Sequence, residues 1–276
     1  MTQRKPIILF RNMGGDTKDE FEVVSGILPT TTSRTLVEPN SLVVGRYSVL
    51  PFYRELELDL KAIGSNLVNS YSQHRYVADL RNWEYDLRGL TPKTWFRLED
   101  VPDNVGSVVL KGETNSRKNK WKTHMFAANK REAVEVYFKL ADDAGLDGQD
   151  IYIREYVPLE TYMVDPISGQ PITEEFRIFV LRGEVVGSGY YWASHVDQLS
   201  MTLPDASKVP AEFLAKVISL VKDNVPFFVV DVAKTASGEW MVVELNDGQM
   251  SGLSCVGATP LYTRMKKVLE RNLATP

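Results

Sequence analysis

The chain has 276 residues, 43% of them hydrophobic and 25% charged, with a formal net charge of -4 and a pI of about 5.6. This is globular material, enough for one large domain or two smaller ones, and its acidity argues against a dedicated nucleic-acid binder. One cysteine, Cys255, excludes an intrachain disulfide, and no stretch reads as a signal peptide or a membrane span, so a cytoplasmic protein with no membrane partner is expected.

Pro6 to Phe10 reads as a short buried strand. The RNMGGDTKDEF turn after it lacks the glycine spacing and the Lys-Ser/Thr ending of a phosphate loop. Residues 27–40 read as loop plus an edge strand, and Ser41 to Val44 as a second strand. Phe52, Leu56, Leu58, Leu60 and Ile63 have helical spacing, with Gly64 as a stop. A short strand over 66–69 and a helix from Ser72 to Leu87, stopped by Gly89, continue the strand–helix alternation of a small α/β domain. Thr91 and Pro92 interrupt it. The expected division is therefore an N-terminal domain over 1–92 and a second domain over 93–276.

Val108 to Lys111 is a β-branched strand ending in lysine. The following GETNSRKNKWKTH is polar and basic, with Arg117, Lys118, Lys120 and Lys122 close together. Such a run is commonly a solvated loop; contact with phosphate is the alternative that its position after a strand lysine raises. A helix over 130–144, a strand over 150–157 and a polar insertion, DPISGQPITEE, come next. FRIFVLRGEVVGSGYYW then reads as a hairpin turning at Arg182-Gly183, with Arg177 near its start. A helix over 209–221 and a last helix from about Pro260 to Leu273 complete the chain. His74, His124 and His195 are scattered and point to no histidine chemistry.

Between the last two helices lies FFVVDVAKTASGEWMVVELNDGQMSGL, two apolar runs about a turn-rich centre, which reads as a β-hairpin. With the turn centred between Ser237 and Gly238, Asp231 faces Glu244 across the ladder, and Asn246 shares their face by strand alternation. Two carboxylates facing each other in strands this apolar need a cation between them or a shared proton. Two carboxylates and an amide suit a hard cation such as Mg2+. The plainer alternative is a solvent-facing polar row on an edge hairpin.

Taken together, the order of strand lysine, basic loop, helix, strand with an acidic hinge, hairpin with an arginine, helix and Asp/Glu-x-Asn hairpin resembles the ATP-grasp superfamily of carboxylate–amine ligases, over roughly Thr91 to Gly252. The resemblance implies an α/β (α+β) ATP-grasp fold: an N-terminal α/β domain, a small lid subdomain over about 93–157 and a C-terminal antiparallel-sheet subdomain over about 158–276. It implies ATP and Mg2+ as cofactors. VVDVA and VVELN would supply the metal ligands Asp231, Glu244 and Asn246; VVLK would supply Lys111 for the nucleotide phosphates. IREYVPLE resembles the adenine hinge, with Glu155, Tyr156 and Val157 at the base and Glu160 at the ribose. EEFRIFVLRGEVV would aim Arg177 at the terminal phosphate and the acyl-phosphate. The lid loop departs from the family in having no glycine after Gly112, so Arg117 and Lys118 are expected to replace backbone donors, as in compact, divergent bacterial and phage-borne members.

The implied reaction joins a small-molecule or peptide carboxylate to an amine through an acyl-phosphate, giving an amide, ADP and phosphate. Arg177, Lys111 and Lys118 would be its catalytic residues, and a homodimer is compatible with the family. Ser251 and Gly252 would line the acceptor pocket, while Arg46 and Tyr191 are weaker candidates that packing would equally explain. A phosphotransferase of the kinase kind and a non-catalytic nucleotide binder are the competing functions.

Overall fold

The computed structural model describes residues 4–114, 116–146, 148–199 and 202–271. The N-terminal part is built on four parallel strands in the order β2-β1-β3-β4: β1 (Lys5–Leu9), β2 (Thr30–Thr31), β3 (Ser41–Val44) and β4 (Asn66–Leu67). Helices α1 (Asp16–Ser25), α2 (Tyr53–Ala62), α3 (Tyr71–Ala78) and α4 (Leu80–Trp83) accompany them. Gly14 and Gly15 both take positive φ just before α1, which only glycine adopts without strain. The single helix expected over 72–87 is broken at Asp79. That residue is extended, its carboxylate caps α4 by accepting from Arg81 N, and it also accepts from the Tyr152 hydroxyl at 2.7 Å.

A second, antiparallel sheet has the order β5-β8-β6-β7, from β5 (Thr94–Trp95), β6 (Val108–Gly112), β7 (Phe126–Ala127) and β8 (Ile151–Glu155). The short helix α5 (Trp121–His124) precedes β7, and α6 (Lys130–Ala141) packs on the sheet through Ala133, Val136 and Leu140. The stretch expected as a polar insertion, 165–175, supplies the turn and second strand of a small hairpin, β9 (Thr161–Val164) with β10 (Pro171–Thr173). Its Tyr162 and Met163 pack against the main core, which periodicity in so short a segment does not reveal.

The C-terminal sheet runs β12-β11-β13-β14, all antiparallel: β11 (Glu175–Leu181), β12 (Glu184–Tyr190), β13 (Phe227–Lys234) and β14 (Trp240–Asp247). Arg182 and Gly183, both at positive φ, make the tight turn between β11 and β12. Helix α7 (Ala211–Val221) joins α3 and α4 in covering Ile178, Val180, Phe228, Val230 and Val232. Alternate residues point the other way: Phe179, Leu181, Phe227 and Val229 share a core with β1, α1 and α8 (Ala258–Arg271). The expected end of that last helix, Leu273, lies outside the described residues. Among the described residues no helix is long and apolar enough to cross a membrane.

One buried network ties the N-terminal part to the end of β14. Arg46, fully buried, donates to Glu20 at 2.7 Å, to the Tyr47 hydroxyl at 2.7 Å and to the Tyr262 hydroxyl at 2.9 Å. It also donates to the Gly248 carbonyl at 2.5 Å. A role for Arg46 in holding substrate is excluded by this burial; it is a clamp between α1, α8 and the loop after β14.

Candidate active site

The ladder places Asp231 opposite Glu244, but by a route the turn alone does not dictate. Next to the turn, Lys234 pairs with Trp240 and Val232 with Val242, so the turn is centred on Ser237; the register then shifts by one between Val232 and Asp231. Val243 is the extra residue of a β-bulge. Without it Val242 and Glu244 would share a face. With it, Val242 enters the core while Glu244 turns to the face that carries Asp231 and Arg177. β14 is an edge strand, and its outer side is closed: Val242 N donates to the Leu90 carbonyl at 2.7 Å, and Arg154 Nη1 donates to the freed Val243 carbonyl at 2.6 Å.

Six ionisable side chains meet at this face. Arg177 donates Nε and Nη2 to both oxygens of Asp231, and Nη1 to the Gly252 carbonyl at 2.9 Å. Lys111, near the end of β6, donates to Glu244. Burial alone would raise Glu244, but the charges of Lys111 and Lys118 and hydrogen bonds from Lys111 and Asn246 bring it down to about 2. Lys118 donates to the Tyr191 hydroxyl at 2.6 Å and sits over the Tyr191 and Trp192 rings. Burial pulls its pKa down, yet its coupling to the Tyr191 hydroxyl and to Glu175 and Glu244 outweighs it and holds Lys118 cationic. Glu175 behaves oppositely: burial, with Asp231 and Glu244 near, pushes it up to about 7 although Lys118 and Arg177 oppose the rise.

Two cavities meet at Lys111 and Glu244, which line both. The first, about 140 Å³, lies between the β5-β8-β6-β7 sheet and the C-terminal sheet. Val109, Trp121 and Met125 form one apolar wall; Leu159, Met241 and Val243 form the other. Glu155, Tyr156 and Val157 border it, and Lys118 and Glu175 close its polar end. Of the three hinge amides, Glu155 N donates to the Lys93 carbonyl and Tyr156 N to the Ser107 carbonyl, whereas Val157 N has no backbone partner among the described residues. The second cavity, about 700 Å³, runs from this junction toward α3 and is lined by His74, Arg75, Arg177, Asn246, Ser251 and Gly252 among others.

Two residues expected at the nucleotide are not brought to it. Arg117 turns away from the cavity because Asp143 takes its Nε at 2.9 Å and its Nη2 at 2.6 Å. Glu160 is exposed, with its backbone bonded to Lys234 and Glu174, and it does not line the cavity. Of the two basic neighbours, Lys118 is the one that lines the cavity. Arg154, Glu175 and Trp121 are site residues that sequence reasoning misses. For Arg154 there is a signal: a charge among the buried residues of IYIREYV.

The oxygen donors Asp231, Glu244 and Asn246 have the chemistry of a hard divalent cation. Glu244 and Asn246 stand at the wall of the polar cleft; Asp231 is fully buried behind them with both oxygens on Arg177. Among the described residues no group of three or more His, Cys, Asp or Glu could hold a metal, so the Asn246 amide is needed to complete a set of three.

Solved structures resemble the whole chain. D-cycloserine synthetase DcsG aligns with a TM-score of 0.60 at 14% identity, covering 96% of this chain and 99% of that one. The ATP-grasp ligase PsnB, in complex with minimal precursor, Mg and ADP, aligns with a TM-score of 0.61 at 11% identity and 98% coverage of both chains. D-alanine–D-alanine ligase from Bacillus anthracis, in complex with ATP, aligns with a TM-score of 0.61 at 13% identity and 99% coverage of both. At such identities these likenesses establish the fold. No functionally curated protein matches the chain in sequence. The family model of an ATP-grasp domain, family 3 of its clade, matches residues 98–268, more than half of the chain, and the protein therefore belongs to that ATP-grasp family.

Proposed function

We propose that the protein is an ATP-dependent ligase that activates a carboxylate as an acyl-phosphate and joins it to an amine. The observation that carries this is the junction: an apolar cavity and a larger polar cleft share the Lys111–Glu244 pair, so a phosphoryl group held in one would be presented to an acceptor in the other. Adenine would lie against the apolar lining that Trp121 and Met241 share, with Val157 N–H, which has no backbone partner among the described residues, offered to its edge. Lys111 and Lys118 supply positive charge on the phosphate side. Arg177, on the cleft side, holds the Gly252 carbonyl and has its charge within reach of the attacking carboxylate. Phosphoryl transfer needs such positioning and charge neutralisation and no covalent nucleophile. Glu244 and Asn246, with Asp231 behind them, would hold Mg2+, which when bound spreads the developing charge over the phosphate oxygens.

The structures in complex with Mg and ADP, and with ATP, support those cofactors here by likeness of fold. PsnB has also been solved with a precursor peptide, which extends the acceptable substrates from free amino acids to peptides. A lone cysteine and a need for ATP fit the cytoplasm. The test is phosphate release from ATP and Mg2+ with amino acids and short peptides supplied in pairs, followed by mass analysis. Free phosphate together with an amide product supports the ligase. Phosphate retained on the product would make the protein a kinase instead.

A further inference from the structure

The polar cleft carries a pair of side chains that phosphoryl transfer does not use. His74, in the first turns of α3, has Nδ1 3.0 Å from Asp247 Oδ2. Asp247 ends β14 and is itself fixed, with Asn69 Nδ2 donating to Oδ1 at 2.8 Å and Gln249 N donating to the same oxygen at 2.9 Å. The imidazole stacks on the Tyr53 ring, centroids 4.7 Å apart and planes at 30°. A carboxylate at Nδ1 selects the tautomer protonated there and leaves a lone pair on Nε2. Nε2 has no hydrogen-bond partner among the described residues, yet it is not one of the sealed, unpaired buried atoms. His74 is only 8% exposed and lines the cleft with Lys111, Arg177, Glu244 and Asn246.

We propose that His74 is the general base of the amide-forming half-reaction, with Asp247 as its positioning residue. This rests on the ligase reading above. An α-amino group arrives largely as an ammonium ion at neutral pH and has no lone pair to offer. His74 Nε2 takes one of its protons. The amine nitrogen then forms its bond to the acyl-phosphate carbonyl carbon, and the carbon–oxygen bond to phosphate breaks with its electron pair leaving on phosphate. The second nitrogen proton leaves with that phosphate, and His74 returns its own proton to water. The charged groups around the ring are Asp247 behind it, Glu57 on α2, Arg75 and Glu113 beside the cleft, and Lys111, Arg177 and Glu244 across it; Tyr53 and Tyr71 flank it. The acceptor is thereby specified as a basic primary amine.

Two measurements test this. Nitrogen-15 NMR of the histidine side chains in the wild-type protein, assigned with His74→Gln, is expected to show Nδ1 protonated and Nε2 bare. The opposite tautomer would overturn the proposal without any substrate. The second compares wild type and His74→Gln with ATP, MgCl2 and a pool of D- and L-amino acids and short peptides, with and without hydroxylamine. Hydroxylamine is a far weaker base and arrives unprotonated. His74→Gln is expected to lose at least about 100-fold of amide formation, the typical scale of general-base catalysis, while hydroxamate formation stays within about threefold. Equal loss of both products, or loss of neither, overturns the base while leaving the ligase intact. Absence of both products in wild type removes the ligase reading and this proposal with it.

Discussion

Arg177 and Asp231 are register partners on β11 and β13, and the guanidinium grips both carboxylate oxygens at 2.9 and 2.8 Å. Asp231 is fully buried, so each charge depends on the other. Removing one partner of such a pair typically costs about 3–5 kcal/mol, whereas replacing both with apolar side chains is often near neutral. Arg177→Met and Asp231→Asn should each lower the urea midpoint sharply, and Arg177→Met/Asp231→Leu should recover most of it. All three should lack ligase turnover. If the double variant were as unstable as the singles, the pair would not be the source of the loss.

Glu244 provides a pH signature. Its ordinary value is 4.5 and its folded value is about 2, because Lys111 and Lys118 more than offset the cost of burial. As pH falls, the unfolded chain takes up this proton first. The stabilisation is therefore complete above about 4.5 and lost as pH falls through about 2. Glu244→Gln should be less stable than wild type at neutral pH, with the gap closing toward the acid end of that window. Thermal melts across it measure this directly; a gap independent of pH would mean that the Lys111 pairing contributes nothing.

Glu175 should do the reverse. Its proton is held up to about pH 7 in the folded chain, against an ordinary 4.5, chiefly because of burial. Between those values the folded state binds more proton than the unfolded, so stability falls as pH rises. Glu175→Gln removes that slope. The variant should gain on wild type progressively from pH 5 to about pH 8, and melts that stay parallel over this range would show Glu175 titrating normally.

Much of this is legible in the chain. Ser41 to Val44, the Arg182-Gly183 turn and the Asp231–Glu244 pairing follow from alternation and turn chemistry, which act over a few residues. That last pairing follows from a turn centre placed one half-step off, and the Val243 bulge cancels the error. Bulges depend on tertiary packing, here on Val242 having to enter the core, and leave no local mark. Arg117 and Lys118 are neighbours in a basic run, but Asp143, just beyond the end of α6, claims Arg117, and composition cannot rank the two. His74 looks isolated in the sequence because its partner Asp247 is 173 residues away.

Arg46 illustrates a charge that reads as a binding residue and folds as a clamp. Fully buried, it holds Glu20, two tyrosine hydroxyls and the Gly248 carbonyl. Arg46→Met should cost about 3–5 kcal/mol by leaving Glu20 unpaired. It should also speed hydrogen exchange in the loop over 248–252, which borders the cleft, before it affects the lid. Unchanged exchange there would separate the clamp from the loop.

Arg154 carries the last prediction. Its Nη1 bonds the carbonyl that the bulge frees, and its Nη2 bonds Thr91 Oγ1 at 2.7 Å, while its Nε is buried without a partner among the described residues. Burial lowers its pKa to about 10, which still leaves it charged at neutral pH. Arg154→Met would strand the Val243 carbonyl and remove the anchor of the bulge. A one-residue slip there turns Glu244 toward the core face, since strand faces alternate. Arg154 hydrogen-bonds no proposed metal ligand among the described residues and reaches Glu244 through the bulge and through its charge, so its effect should resemble that of residues that orient ligands: about a 10–100-fold loss in apparent Mg2+ affinity. Arg154→Lys, able to reach one acceptor but not two, should lie between. Magnesium titration of turnover at saturating ATP measures this, and an unchanged Mg2+ dependence in Arg154→Met would show that the bulge holds Glu244 in place unaided.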